Sequence, residues 1–254
     1  MRSLACTRPR LLMLQPKIII TGTGRAGTTF LVRLFTELGL DTGYTPETWQ
    51  RDYFAHCSAG LEQDPTSPSA PRIVKSPELC DRLSELLARR KLAVEHAIVP
   101  IRWLDDAAQS RVRVGGEGKT PGGLIGTGDP KQQQAVLAER FHRLVHTLVA
   151  QEVPHTFIEF PWFVRDADYA WRKLSPIFPE IDREKFYAAF ARTAQPELIH
   201  QFGGGQSSEA GQPARHFALS SFQRRVRRRL VRLAMFASVA IMSWTLSAWW
   251  HQAS

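Results

Sequence analysis

From Thr21 to Thr29 the chain reads Thr-Gly-Thr-Gly-Arg-Ala-Gly-Thr-Thr, between a β-branched run and an apolar stretch with helical spacing. Glycines at 22, 24 and 27 let the backbone come close to a ligand, and free amides at a helix start favour an anion, most often a phosphate. Arg25 adds a forked donor at the loop tip, and Thr28 and Thr29 add two hydroxyls. Three chemistries use such a loop. Gly22, Gly24 and Gly27 match the G-x-G-x-x-G of dinucleotide-binding folds, which also needs a second strand ending in an acidic residue about 20 positions on. Asp41 and Glu47 are at hand, but neither closes an apolar run. A nucleotide triphosphatase loop wants Gly-Lys followed by Ser or Thr, and this loop holds no lysine. Gly118-Lys119-Thr120 has no glycine five residues before Gly118 and no apolar strand leading in. The third chemistry uses Arg25, Thr28 and Thr29 together on the oxygens of one anionic group.

The elements that must hold this loop follow from spacing. Lys17 to Thr21 is a short buried strand. Phe30, Leu31, Leu34, Phe35 and Leu38 predict a helix that Gly39 stops. Residues 58–71 carry three prolines and read as a loop. Ile73-Val74 is a strand, and about Pro77 to Arg90 a helix. Ala97 to Ile101 is a second buried strand, demoted somewhat by Pro100. Asp105 to Arg113 is helical, with Asp105 or Asp106 near the N-cap. Residues 114–130, with seven glycines, read as a mobile loop. Gln132 to Gln151 is a long helix, Thr156 to Phe160 a strand closed by Pro161, and helices follow over about 167–178 and 183–192. Strands alternating with helices predict an α/β fold, a three-layer P-loop-like parallel sheet flanked by helices. The chain divides into an N-terminal arm (1–15), the α/β domain (16–202), a linker (203–223) and a basic, then apolar segment (224–254).

Composition narrows the function classes. With 254 residues, 43% hydrophobic and 22% charged, the chain is neither disordered throughout, nor collagen, nor a multi-span membrane protein. Three cysteines, Cys6, Cys57 and Cys80, build no disulfide framework and fit a reducing compartment. The net charge is +9, but six arginines crowd into residues 224–232. The body is therefore mildly basic, which suits a small anionic ligand and gives no nucleic-acid footprint. No Cys-x-x-Cys and no histidine pair with a third ligand offers a metal site.

With these elements in place, Arg25-Ala26-Gly27-Thr28-Thr29, followed by Phe30-Leu31, resembles the phosphosulfate loop of the sulfotransferase superfamily. In that family a Lys/Arg-Ser/Ala/Gly-Gly-Thr-Thr segment joins a strand to a helix. The resemblance spans about residues 16–195. It implies binding of 3′-phosphoadenosine 5′-phosphosulfate (PAPS) by Gly24, Arg25, Ala26, Gly27, Thr28 and Thr29. It also implies metal-free sulfuryl transfer to a hydroxyl or amine of a small-molecule or carbohydrate acceptor. The family binds the 3′-phosphate with an arginine ending a later strand and a serine eight positions on; Arg102 and Ser110 stand at that spacing. Phe157-Ile-Glu-Phe160 sits where the family has another strand running into a turn.

Sulfuryl transfer, by analogy with phosphoryl transfer, is mostly positioning and charge stabilisation. Arg25 and, second, Lys75 are the cations for the bridging oxygen. Cytosolic members have Lys-Thr-His, with histidine as base; here Lys75-Ser76-Pro77-Glu78 keeps the lysine and lacks the histidine. Tyrosylprotein-type members use a glutamate downstream of the loop arginine, and Glu47, 22 residues after Arg25, nearly matches its spacing. The catalytic set is thus Arg25, Glu47 and Lys75, with a solvated loop carboxylate the competing account of Glu47. An NAD(P)-dependent oxidoreductase and a non-catalytic membrane-associated P-loop-like protein stand as alternatives.

Leu233 to Trp250 is 18 residues without a charge. As a helix it reaches about 27 Å, just short of a hydrocarbon core of roughly 30 Å. Four hydroxyl residues, among them Ser238 and Thr245, weaken it as a span. No seven-residue apolar leader core stands at the N-terminus. The expectation is a cytoplasmic enzyme, with the tail a candidate attachment to the cytoplasmic face of a membrane.

Overall fold

Ile18, Ile19 and Ile20 are fully buried, so their strand is covered on both faces. The structure, a computed structural model, describes residues 14–115 and 122–195. In chain order its elements are β1 (Lys17–Ile20), α1 (Thr28–Glu37), β2 (Tyr53–Phe54), β3 (Ala59–Gly60), β4 (Ile73–Lys75), α2 (Leu79–Ala88), β5 (Val94–Ile101), α3 (Leu104–Val114), α4 (Gln133–Ala150), β6 (His155–Glu159), α5 (Trp162–Arg165), α6 (Ala167–Leu174) and α7 (Arg183–Thr193). The main sheet runs β4-β1-β5-β6, and every pairing in it is parallel. β2 and β3 form a separate antiparallel pair.

Side-chain alternation divides the core. Ile18, Ile20, Ile98 and Ile158 meet Leu31, Phe35, Phe163 and Phe186 from α1, α5 and α7. Ile19, Ala97 and Val99 meet Leu79 and Leu83 of α2 and Leu144 and Leu148 of α4. The result is the expected three-layer α/β sandwich, a parallel sheet between two helical layers.

Local signals explain most boundaries. At the end of α1 the Gly39 amide donates to Thr36 O and the Leu40 amide to Phe35 O, with Gly39 at φ 76°. That is the glycine cap the sequence implied. Pro100 does not break β5. Ala97 N and Ile101 O bond toward β6, while Ile98 O accepts from Thr21. Pro100 therefore faces the β1 side, beyond the Ile20–Ile98 pair that ends β1, and costs no ladder bond.

Some expectations need correction. Helix α3 starts at Leu104 with Trp103 at its N-cap, so Asp105 and Asp106 lie inside its first turn. β5 begins three residues earlier than expected, at Val94, and the single turn α5 was not anticipated. The arm through residue 13, loop residues 116–121, linker 203–223 and tail 224–254 lie outside the described residues. Among the described residues no helix is long and apolar enough to cross a membrane.

Candidate functional site

Parallel pairing sets the C-terminal ends of β4, β1 and β5 side by side, where α/β sheets open a ligand crevice. Lys75, last in β4, is the register partner of Ile20, and Arg102 directly follows β5. The glycine loop leaves β1 between them, and α3 runs back over it with Ser110 and Arg111 buried.

Two of the loop glycines are required by contact as well as by conformation. A Cβ on Gly24 (φ 74°) would lie 2.5 Å from Arg111 Nη2, and one on Gly27 (φ 78°) 2.7 Å from Phe163 Cζ. Gly27 is also the N-cap of α1 and no side chain caps that end, so the first amides of the helix face the crevice without a helical acceptor. Arg25 takes φ 56°, a left-handed conformation that costs a non-glycine residue energy and is found at functional sites.

That strained residue is the hub of the site. Arg25 Nε donates to Ser110 Oγ at 3.0 Å and its Nη1 to the Cys57 carbonyl. Arg102 Nη1 donates to the Arg25 carbonyl at 2.9 Å, and its guanidinium lies over the Phe160 ring at 5.0 Å. Lys75, 2% exposed, donates from Nζ to Thr29 Oγ1 at 2.9 Å and to the Gly60 carbonyl, and pairs with Glu62 Oε1 at 2.8 Å. Arg111, 4% exposed, donates to the carbonyls of Gly123 and Thr23, while its Nε has no partner among the described residues.

These groups border one cavity of about 480 Å³, within the range of small-ligand sites. Five cations line it, Arg25, Arg33, Lys75, Arg102 and Arg111, against two carboxylates, Glu62 and Glu78, so it calls for an anion. Burial pushes the ionisations of Arg25, Arg102 and Lys75 below their ordinary values and that of Arg111 down to about 10. The Arg25 charge adds to the effect on the other three. A bound anion would favour the charged forms and so offset this lowering.

The sequence-derived residues divide sharply. Gly24, Arg25, Gly27, Thr28, Thr29, Lys75, Arg102 and Ser110 all line the cavity. Ala26 is 1% exposed and packs into the core below the loop, leaving only its backbone to serve a ligand. Glu47 is not brought there. It is fully exposed, and its Oε2 accepts from Thr45 Oγ1 at 2.6 Å within a surface turn, a bond that holds the carboxyl below its ordinary range. Arg33, Arg111 and Glu62 were missed as lining residues. Arg33 had a legible signal, one helical turn beyond Thr29 on the same face. Arg111 adjoins Ser110, but adjacency on a helix does not tell which of two neighbours turns inward. Glu62 sits in a loop without periodicity.

The dinucleotide alternative loses its second requirement. The strand that follows α1 and joins β1 ends in Lys75, not an acidic residue. Asp41 instead accepts from the Arg72 amide at 2.7 Å, where β4 begins, at the far end of the sheet.

Neither a protein-family model nor a curated protein matches the chain. Among solved structures, a sulfotransferase domain from the curacin biosynthetic pathway aligns with a TM-score of 0.42 at 14% identity, over 69% of this chain and 78% of that one. A likeness at that level carries no argument.

Proposed function

We propose that this chain is a sulfotransferase, moving a sulfuryl group from PAPS to a hydroxyl or amine. The observation that carries this is the Arg25 hub, where a strained arginine at the tip of a glycine loop meets Ser110, Arg102 and the amide end of α1 in a cation-lined cavity. The residues fit a doubly anionic nucleotide. The buried Arg111 Nε lacks a partner among the described residues, and Gly24, Gly27, Thr28 and Thr29 bring the loop to the cavity wall.

The donor supplies an activated sulfur joined to its phosphate through a bridging oxygen. Loop amides from Gly24 to Thr29 and the hydroxyls of Thr28 and Thr29 hold the phosphosulfate oxygens. Arg25 and Lys75 offset the negative charge that builds on the bridging oxygen as it leaves. Arg102 and Ser110 hold the 3′-phosphate. The acceptor's proton passes to a carboxylate of the cavity wall, Glu62 or Glu78, because Glu47 stands outside it.

The test is the melting temperature with adenosine 3′,5′-bisphosphate and, separately, with NAD(H). At about 100 times its Kd the bisphosphate should raise it by about 5–10 °C, and NAD(H) should not. The reverse pattern would restore the dinucleotide reading.

A further inference from the structure

A second cavity, of about 350 Å³, adjoins the first and shares Glu62, Pro77 and Glu78 with it. Its own walls add Gln63, Asp64, Ser76 and Arg82. Three features set its chemistry. Its size is near the lower limit for small-ligand sites, which fits a monosaccharide-sized molecule and not a polymer. Three carboxylates face one guanidinium, opposite in sign to the first cavity. Glu62 is already paired with Lys75, and Asp64 Oδ1 accepts from the Thr66 amide and hydroxyl, so Glu78 is the least committed of the three. Ser76, 7% exposed, has no hydrogen bond to its hydroxyl among the described residues, although its amide is bonded to Ile20 O. That hydroxyl stands in the cavity wall, where a ligand's hydrogen-bonding group can reach it.

We propose that this second cavity is the acceptor site, and that it takes a small neutral or amine-bearing polyol and not an anion. The inference rests on the reading of the first cavity as the donor site. Ser76 bonds one acceptor hydroxyl and Glu78 attracts an amine or accepts from a second hydroxyl. Glu62, bordering both cavities and touching Lys75, takes the proton. As the acceptor oxygen bonds to sulfur, its hydrogen moves to the Glu62 carboxylate. The bond from sulfur to the bridging oxygen breaks with its electrons going to the departing bisphosphate.

The experiment uses the full chain saturated with adenosine 3′,5′-bisphosphate and two probes, glucosamine and glucuronate, followed by saturation-transfer NMR titration. The bisphosphate affinity is measured first. If it is absent, the donor-site reading falls and the acceptor site with it. If it is present, glucosamine should bind at least tenfold more tightly than glucuronate. Ser76→Ala should weaken glucosamine binding by about 2- to 12-fold, the worth of one hydrogen bond. Bisphosphate affinity should be unchanged in that variant, because Ser76 lines only the second cavity. Ser76→Ala removes no bond the fold makes, so the variant should fold. Glucosamine that fails to bind, glucuronate that binds as well, or Ser76→Ala without effect would overturn the acceptor site and leave the donor site standing.

Discussion

Arg25 keeps a left-handed backbone while its side chain ties Ser110 to the Cys57 carbonyl, and Arg102 grips its own carbonyl. A group so placed acts on the ligand more than on the fold. Arg25→Ala should weaken adenosine bisphosphate binding by about 10- to 150-fold, the worth of a charged hydrogen bond, with little change in circular dichroism. Calorimetric titration of both proteins checks this. Two glutamates separate position from spacing. Glu62→Gln should slow transfer by about 10²- to 10⁴-fold, the usual share of general-base catalysis, whereas Glu47→Gln should leave it unchanged within error. A rate assay with labelled PAPS on both variants decides, and a slow Glu47→Gln would return the proton to the surface turn. Lys75 gives a pH signature. It faces Glu62, Arg25 and Cys57, and burial lowers its pKa in the free protein. A bound anion raises that pKa, so above the free value binding must take up a proton. Bisphosphate affinity should therefore fall as the pH is raised, and the fall should set in before the ordinary lysine value of 10.5 is reached. Affinity that rises with pH would contradict this. At this scale the loop residues were legible because glycine, arginine and threonine in that order have few other uses. Glu62 and Ser76 were not, because their importance comes from which cavity walls they form.

The strand-loop-helix unit from Lys17 to Glu37 does the positioning, and its glycines make a paired test. Gly39→Ala meets no atom within 4 Å and should cost only the left-handed strain of about 1–2 kcal/mol. Gly27→Ala meets the same strain and also collides with Phe160 and Phe163, which adds about 1–3 kcal/mol of overpacking. Denaturant unfolding should rank Gly27→Ala as the more damaging, and equal losses would mean that the loop yields without cost. Periodicity found the long elements because α2 and α4 each bury a stripe, while α1 and β1 are buried nearly throughout. It missed α5, a single turn of four residues, and the two-residue strands β2 and β3, since no period fits so short a run. It also began β5 late, because Glu95 and His96 are not apolar, yet His96 registers with Ile18 and Glu95 sits at the irregularity between that pair and Lys17–Val94.

Over the whole molecule, charge is divided by sign and by place. Five cations gather in the first cavity, carboxylates outnumber the one arginine in the second, and six arginines precede the uncharged stretch 233–250. Basic residues beside an anionic membrane surface contribute about 1 kcal/mol each at low salt. The full chain should therefore sediment with phosphatidylserine vesicles and a chain ending at Gln223 should not; equal behaviour of the two would remove the tail as an attachment. The division inside the described residues suits the proposed transfer from an anionic donor to an uncharged or cationic acceptor. A non-catalytic adaptor would keep the binding and lose the chemistry. The decisive measurement is the release of adenosine 3′,5′-bisphosphate from sulfur-labelled PAPS, followed in parallel with the wild-type chain and Arg25→Ala. Release that tracks enzyme concentration in the wild type and vanishes in Arg25→Ala is the predicted result. Bisphosphate that binds to the wild type while no label ever leaves PAPS would contradict sulfuryl transfer as its function.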